Sequence, residues 1–161
     1  MLTVGILTAS DKAFRGERQD QSGAVIIEIM NNIGWKVTTY MVVADDAEQI
    51  KSALVTMCDE QKLNLIFTTG GTGFAPRDNT PEATKAVIER EVPGIPEAMR
   101  WESMKKTPRA MLSRAVAGIR KQTLIINLPG SSKAVQECLE VILPALTHGV
   151  EILTGRTGEC G

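Results

Sequence analysis

Apolar residues recur along this chain in two alternating rhythms. Leu2 to Ala9 is a short apolar, β-favouring run that stops at Ser10–Asp11, before a charged loop from Lys12 to Asp20. Gln21 to Ile33 instead carries Val25, Ile26, Ile29, Met30 and Ile33 at helical spacing, with Gly34 placed as a C-terminal cap. Trp35 to Val43 returns to a strand pattern. Asp46 followed by Gln49 predicts a capping box that opens a helix to about Gln61, and Leu63 to Thr69 reads as a third strand. Thr80 as N-cap and Pro81 at the first helical position predict a helix through about Glu91.

The stretch from Pro93 to Pro108 reads as irregular, with a short helix from Pro96 to Lys105. Ala115 to Arg120 and Thr123 to Leu128 predict two strands around Lys121–Gln122. The second, TLIINL, has the composition of a strand buried on both faces. Ser132 to Leu153 reads as helix interrupted near Pro144. Strands alternating with helices imply right-handed crossovers and a mostly parallel sheet, so the predicted fold is a three-layer α/β/α domain spanning residues 1–161. Ligands of such sheets bind beyond the carboxyl ends of the strands. Four strand ends carry polar or glycine-rich sequence: Ser10–Asp11, Asp45–Asp46, Gly70 to Asp78, and Pro129 to Ser132. Parallel strands would bring all four to one rim.

Composition narrows what that rim can hold. A net charge of −1 over 161 residues gives no basic field for nucleic acid, and 4% aromatics argue against a base-stacking platform. A polyanionic ligand must be held by backbone N–H groups, single cations or a metal ion. Cys58, Cys138 and Cys160 fit neither a disulfide framework nor a zinc site, which points to a reducing, cytoplasmic setting with Cys160 as a free thiol. The N-terminus lacks the basic flank of a signal peptide, and no run reaches the ~20 apolar residues of a membrane span. His148, the one histidine, sits late in a helical stretch away from every rim loop. Lys105, Lys106, Arg109 and Arg114 read as solvated charges.

The densest chemistry lies in TTGGTGFAPRDNTPEAT, residues 68–84. Its glycines allow sharp turns and close approach to a ligand, and the helix that follows offers unpaired N–H groups to an anion. Walker A spacing fails, because neither Gly70 nor Gly71 has a glycine five residues on and no lysine follows. The dinucleotide pattern beginning at Gly71 fails at Pro76. A carboxylate beside a phosphate loop repels its ligand unless a divalent cation lies between them, and Mg²⁺ is held by one or two carboxylates plus substrate phosphates. Asp46 is assigned to its helix cap, which leaves Asp45 and Asp78 as the metal pair.

These residues resemble the molybdopterin adenylyltransferases, the family of bacterial molybdenum-cofactor enzymes and the N-terminal domain of gephyrin. The resemblance covers nearly the whole chain. It rests on LTASD at residues 7–11, Asp20 before a helix, VADD at 43–46, FTTGGTGFAPRD at 67–78, and TPEAT at 80–84. It continues through EREVPG at 89–94, ES at 102–103, MLSRAVAGIR at 111–120 and LIINLPGS at 124–131. It implies transfer of AMP from Mg-ATP to molybdopterin with release of pyrophosphate, with Asp45 and Asp78 as the essential carboxylates. It implies nucleotide and pterin contacts at Ser10, Asp11, Gly70, Gly71, Thr72, Gly73, Ser103, Pro129, Gly130 and Ser131, with Ser103 on the pterin side. It also implies a homotrimer. Two positions depart from the family pattern: Asn79, where many relatives carry an aliphatic residue, and Arg109, at a site more often apolar. A pterin-binding scaffold that works through oligomerisation, and a phosphotransferase with a different acceptor, are the competing readings.

Overall fold

A computed structural model describes residues 2–156, so Cys160 lies outside the described residues. In chain order the elements are β1 (Thr3–Ala9), α1 (Asp11–Phe14), α2 (Gln21–Asn32), β2 (Lys36–Val43), α3 (Ala47–Val55), β3 (Leu65–Thr69), α4 (Thr80–Val87), β4 (Arg90–Glu91), α5 (Gly94–Met104), β5 (Ala117–Arg120), β6 (Thr123–Leu128) and α6 (Ser132–Leu153). A wider helical turn, Thr56–Glu60, prolongs α3, and a tight turn, Pro108–Leu112, follows α5. One sheet runs in the order β2-β1-β3-β6-β5-β4. β1, β2, β3 and β6 are mutually parallel, and β5 and β4 extend the β6 edge antiparallel.

Every residue of β3 and of β6 is buried, as expected for strands covered on both faces. Alternate side chains feed two cores. Ile6, Leu65, Phe67 and Ile126 pack against Ile26 and Met30 of α2, Met99 of α5, and Leu139, Ile142 and Leu146 of α6. Leu7, Ile66 and Ile125 pack on the other face against Ile50 and Leu54 of α3 and Ala83 and Val87 of α4. Each such Val, Leu, Ile, Phe or Met side chain removed from water contributes about 1.5–3 kcal/mol. The three layers and the mostly parallel sheet agree with the sequence reading.

Four boundaries differ from it. The N-cap position of α4 is Asn79, whose side chain does not cap it, and Thr80 is instead buried against Gly71 of the glycine loop. The helix stops at Val87, where Ile88 turns extended (φ −76°, ψ 151°), and the chain enters β4. β4 approaches β5 closely because Gly118 has no Cβ; one placed there would meet the Arg90 carbonyl oxygen of β4 at 2.8 Å. α5 begins at Gly94, within the stretch read as irregular. α6 continues through Pro144, which lies on its exposed face. An internal proline costs about 3 kcal/mol. Here the buried stripe of Leu139, Ile142, Leu146 and Val150 on both sides of it keeps the helix docked.

Candidate functional site: two clefts along one sheet edge

Because β1, β2, β3 and β6 are parallel, their carboxyl ends open on one edge, and the four loops predicted from sequence meet there. A cleft of about 570 Å³ lies between them. Ser10, Asp45, Gly70, Gly71, Asp78, Gly130 and Ser131 all line it. Thr72, Gly73, Ser103 and Pro129 line a second cleft of about 360 Å³, walled by Pro96, Met99, Leu112 and Cys138. The GGTG loop and the Pro129–Ser131 turn therefore form a ridge with one side to each cleft. The first cleft is polar and the second apolar.

Backbone geometry explains the glycines. Gly70 and Gly71 have φ of +91° and +70°, the left-handed region that a side chain disfavours. A Cβ on Gly70 would also strike the Ala9 carbonyl oxygen at 2.4 Å. Helices α2 and α6 begin at the polar cleft, so the positive ends of their dipoles face it. Ser10 and Ser131 cap α1 and α6 by accepting from the amides of Ala13 and Ala134, each at 3.2 Å.

The carboxylates divide their work. Asp46 accepts the Gln49 amide at 2.9 Å, which confirms it as the cap of α3 and leaves Asp45 to the cleft. Asp45 Oδ2 accepts the Asp11 N–H at 2.9 Å, and Asp78 Oδ2 accepts the Ala75 N–H at 3.0 Å. The second oxygen of each carboxylate accepts no hydrogen bond among the described residues. Burial pushes the Asp45 carboxyl up, and the charges of Asp11 and Asp78 push it further, against the Asp11 amide that favours ionisation. Among the described residues no group of three or more His, Cys, Asp or Glu side chains could hold a metal. Two hard oxygen donors, each pre-oriented by an amide and each with a free oxygen, suit Mg²⁺ that completes its shell with phosphates and water.

Asp11 has a different position. Its carboxylate lines neither cleft. Arg77 donates to both of its oxygens, and its Oδ1 also accepts the Asp45 N–H at 3.0 Å. Those contacts hold its carboxyl down at about 2.

Two features were missed from sequence. Asp20, quoted above only as part of the resemblance, lines the polar cleft with Arg18, the one basic side chain there among the described residues. Asp20 accepts Thr8 Oγ1 at 2.6 Å, the Gly23 amide at 3.1 Å and the Tyr40 hydroxyl. Burial, and then that bond, push the Tyr40 phenol up. Arg114, read as a solvated charge, instead braces the glycine loop. It donates to the carbonyls of Gly73 at 2.7 Å and Asp78 at 2.8 Å and pairs with Glu82. Its place in MLSRAVAGIR was the available signal. Lys105 and Lys106 are exposed and pair with Glu102 and Glu137, and His148 lines neither cleft.

A mostly parallel sheet with four ligand loops on its carboxyl edge, a glycine-built anion cradle and two poised carboxylates defines a phosphate-handling α/β protein. The chain belongs to the family described as probable molybdopterin binding domain, which matches residues 5–148. It is 46% identical over 154 residues to the molybdopterin adenylyltransferase of Helicobacter pylori, covering 94% of this chain and 88% of that one. It is 47% identical to gephyrin of Dictyostelium discoideum over 95% of this chain and 23% of the relative. The crystal structure of the molybdopterin biosynthesis enzyme MoaB from a Thermus species superposes with a TM-score of 0.92 at 50% identity, over 99% of this chain and all of that one.

Proposed function

We propose that this protein is a molybdopterin adenylyltransferase that transfers AMP from Mg-ATP to the terminal phosphate of molybdopterin. The observation that carries the reading is the pair Asp45 and Asp78, each with one amide-fixed and one free oxygen, beside the Gly70–Gly71 turn in the polar cleft. In this reading the pterin phosphate oxygen attacks the α-phosphorus of ATP. The bond from that phosphorus to the β-bridging oxygen breaks, and pyrophosphate leaves. The nucleophile is already an anion, so the residues need to position and neutralise more than to abstract a proton. Mg²⁺ held by Asp45 and Asp78 would screen phosphate charge and favour departure of pyrophosphate.

The chain's own groups do the rest. The polar cleft takes the nucleotide, whose phosphates meet the turn at Gly70–Gly71 and the positive dipole ends of α2 and α6. Arg18 supplies a cationic side chain to that cleft. The apolar cleft, with Ser103 and Thr72, takes the pterin. The GGTG ridge between them brings the two phosphates together. The same reading carries a homotrimer and a cytoplasmic setting for residues 1–161 as one domain. Exposed Phe74, Trp101 and Met111 support self-association. Among the described residues no helix is long and apolar enough to cross a membrane.

Purified protein with ATP, Mg²⁺ and molybdopterin is expected to yield an AMP–pterin adduct and pyrophosphate. Pterin binding without adduct would favour the scaffold reading. ATP turnover with no affinity for molybdopterin would favour another acceptor.

A further inference from the structure

Asn79 occupies the N-cap position of α4, where an asparagine side chain ordinarily accepts a first-turn amide and contributes about 1 kcal/mol. No side chain caps that end of α4. The Asn79 amide reaches elsewhere: Nδ2 donates to the Arg77 carbonyl at 3.1 Å and to the Asp45 carbonyl at 3.3 Å. One side chain thus ties the turn after β2, which carries Asp45, to the loop after β3, which carries Asp78.

The two turns have a reason to separate. Each presents a carboxylate to the same cleft, and two like charges facing one cleft repel. The other tether between them is indirect, running from Asp45 through Asp11 to Arg77, and Arg77 is largely exposed. A primary amide suits the direct tether because its two N–H groups can serve two carbonyls at once. An aspartate there would set oxygen against oxygen, and an aliphatic residue would leave the Asp45 carbonyl without this donor.

We propose that Asn79 is a positioning residue that sets the spacing of the Asp45 and Asp78 carboxylates, and with it the affinity of the cleft for a divalent cation. The proposal rests on Asp45 and Asp78 being the cation-holding pair. It does not require that the acceptor of AMP be molybdopterin.

Mn²⁺ binding tests it without turnover. Free Mn²⁺ is followed by electron paramagnetic resonance as protein is added, with and without an ATP analogue whose α–β bridge is methylene. Asn79→Ala and Asn79→Leu are expected to bind Mn²⁺ about tenfold more weakly, in the range seen when outer-shell partners of metal ligands are removed. The same change made in an Asp45→Asn background is expected to have little further effect, because the spacing it controls no longer matters. A residue that merely stabilised the fold would cost the same in both backgrounds. Wild-type affinity in both Asn79 variants, or equal losses with and without Asp45, would overturn the proposal. Two variants guard against one failing to fold, which circular dichroism reports. Should the wild type bind Mn²⁺ through this pair yet form no AMP–pterin adduct, the reaction assignment fails while the role of Asn79 is still decided.

Discussion

Arg77 closes on Asp11 as a two-point clamp, with Nε donating to Oδ2 at 2.7 Å and Nη2 to Oδ1 at 3.1 Å. The clamp joins the glycine loop to the first turn of α1, and Asp11 in turn exchanges two hydrogen bonds with Asp45. A bidentate guanidinium favours the ionised carboxylate, which is why Asp11 titrates near 2 instead of its ordinary 3.8. A depressed folded pKa contributes stability that is present above the unfolded value and lost as pH falls toward 2. In Arg77→Leu, carboxyl-carbon NMR is expected to show Asp11 titrating closer to its ordinary value. The acid-unfolding curves of the two proteins are expected to differ above pH about 4 and converge near 2. A midpoint that stayed near 2 in the variant would remove Arg77 as the cause.

Asp45 has the opposite sign. Burial and neighbouring carboxylates raise its folded pKa, so folding favours the protonated acid. That contribution is present at low pH and lost as pH rises through the folded value. Where Asp45 is ionised, its charge is therefore a burden on the apo-protein. Asp45→Asn keeps an oxygen to accept the Asp11 N–H and is expected to stabilise the apo-protein slightly, by no more than about 1 kcal/mol after solvent screening. The same change is expected to cut adenylylation at least about a hundredfold, the scale of losing one group that stabilises transition-state charge. Asp78→Asn is expected to match the activity loss. The wild-type rate is expected to fall as pH drops through the raised Asp45 value. Full activity in Asp45→Asn would sink the assignment.

Arg114 predicts a case in which lysine cannot replace arginine. Its guanidinium serves the Gly73 and Asp78 carbonyls and Glu82 together, a fork that a single ammonium cannot reproduce. Arg114→Lys is expected to lower melting stability by about 1–2 kcal/mol through the lost carbonyl bonds. It is also expected to raise KM for ATP several-fold, because the loop bearing Asp78 loosens. Unchanged KM alongside lowered stability would separate Arg114 from the site.

Local signals carried most of this fold, and their limits are physical. β3 and β6 were legible because both are covered on two faces and read as unbroken apolar runs. The division of labour between Asp45 and Asp46 was legible because a capping box is a short-range pattern, with Gln49 three residues on. β4 was not, since two exposed residues carry no period and only their pairing with β5 makes them a strand. The continuity of α6 through Pro144 was hidden for a related reason: propensity is local, whereas the packing that outweighs it comes from α2, α5 and the sheet. In the site, the rim loops followed from topology. The Asp20 cluster did not, because Thr8, Asp20 and Tyr40 come from β1, the α2 cap and β2 and meet only after folding.

Asn127 ties the sheet to the site from beneath. It is fully buried in β6, donating to Thr68 Oγ1 and Thr84 Oγ1 at 3.0 Å each and accepting the Val116 N–H at 3.2 Å. Thr68 precedes the GGTG loop and Thr84 lies in α4, so this amide links both ends of the loop to the strand behind it. Asn127→Leu fills a similar volume but deprives an amide of its acceptor and two hydroxyls of a donor. The expected cost is about 2–4 kcal/mol, measured by urea unfolding, since buried groups left unpaired lose about 1–3 kcal/mol each and Leu recovers some burial. Asn127→Asp keeps the acceptor for Val116 but places an ionisable group in the core, so its deficit is expected to shrink as pH is lowered and the acid is protonated. A loss below about 1 kcal/mol in the Leu variant would mean that the surrounding hydroxyls find other partners and that the network is not what supports the loop.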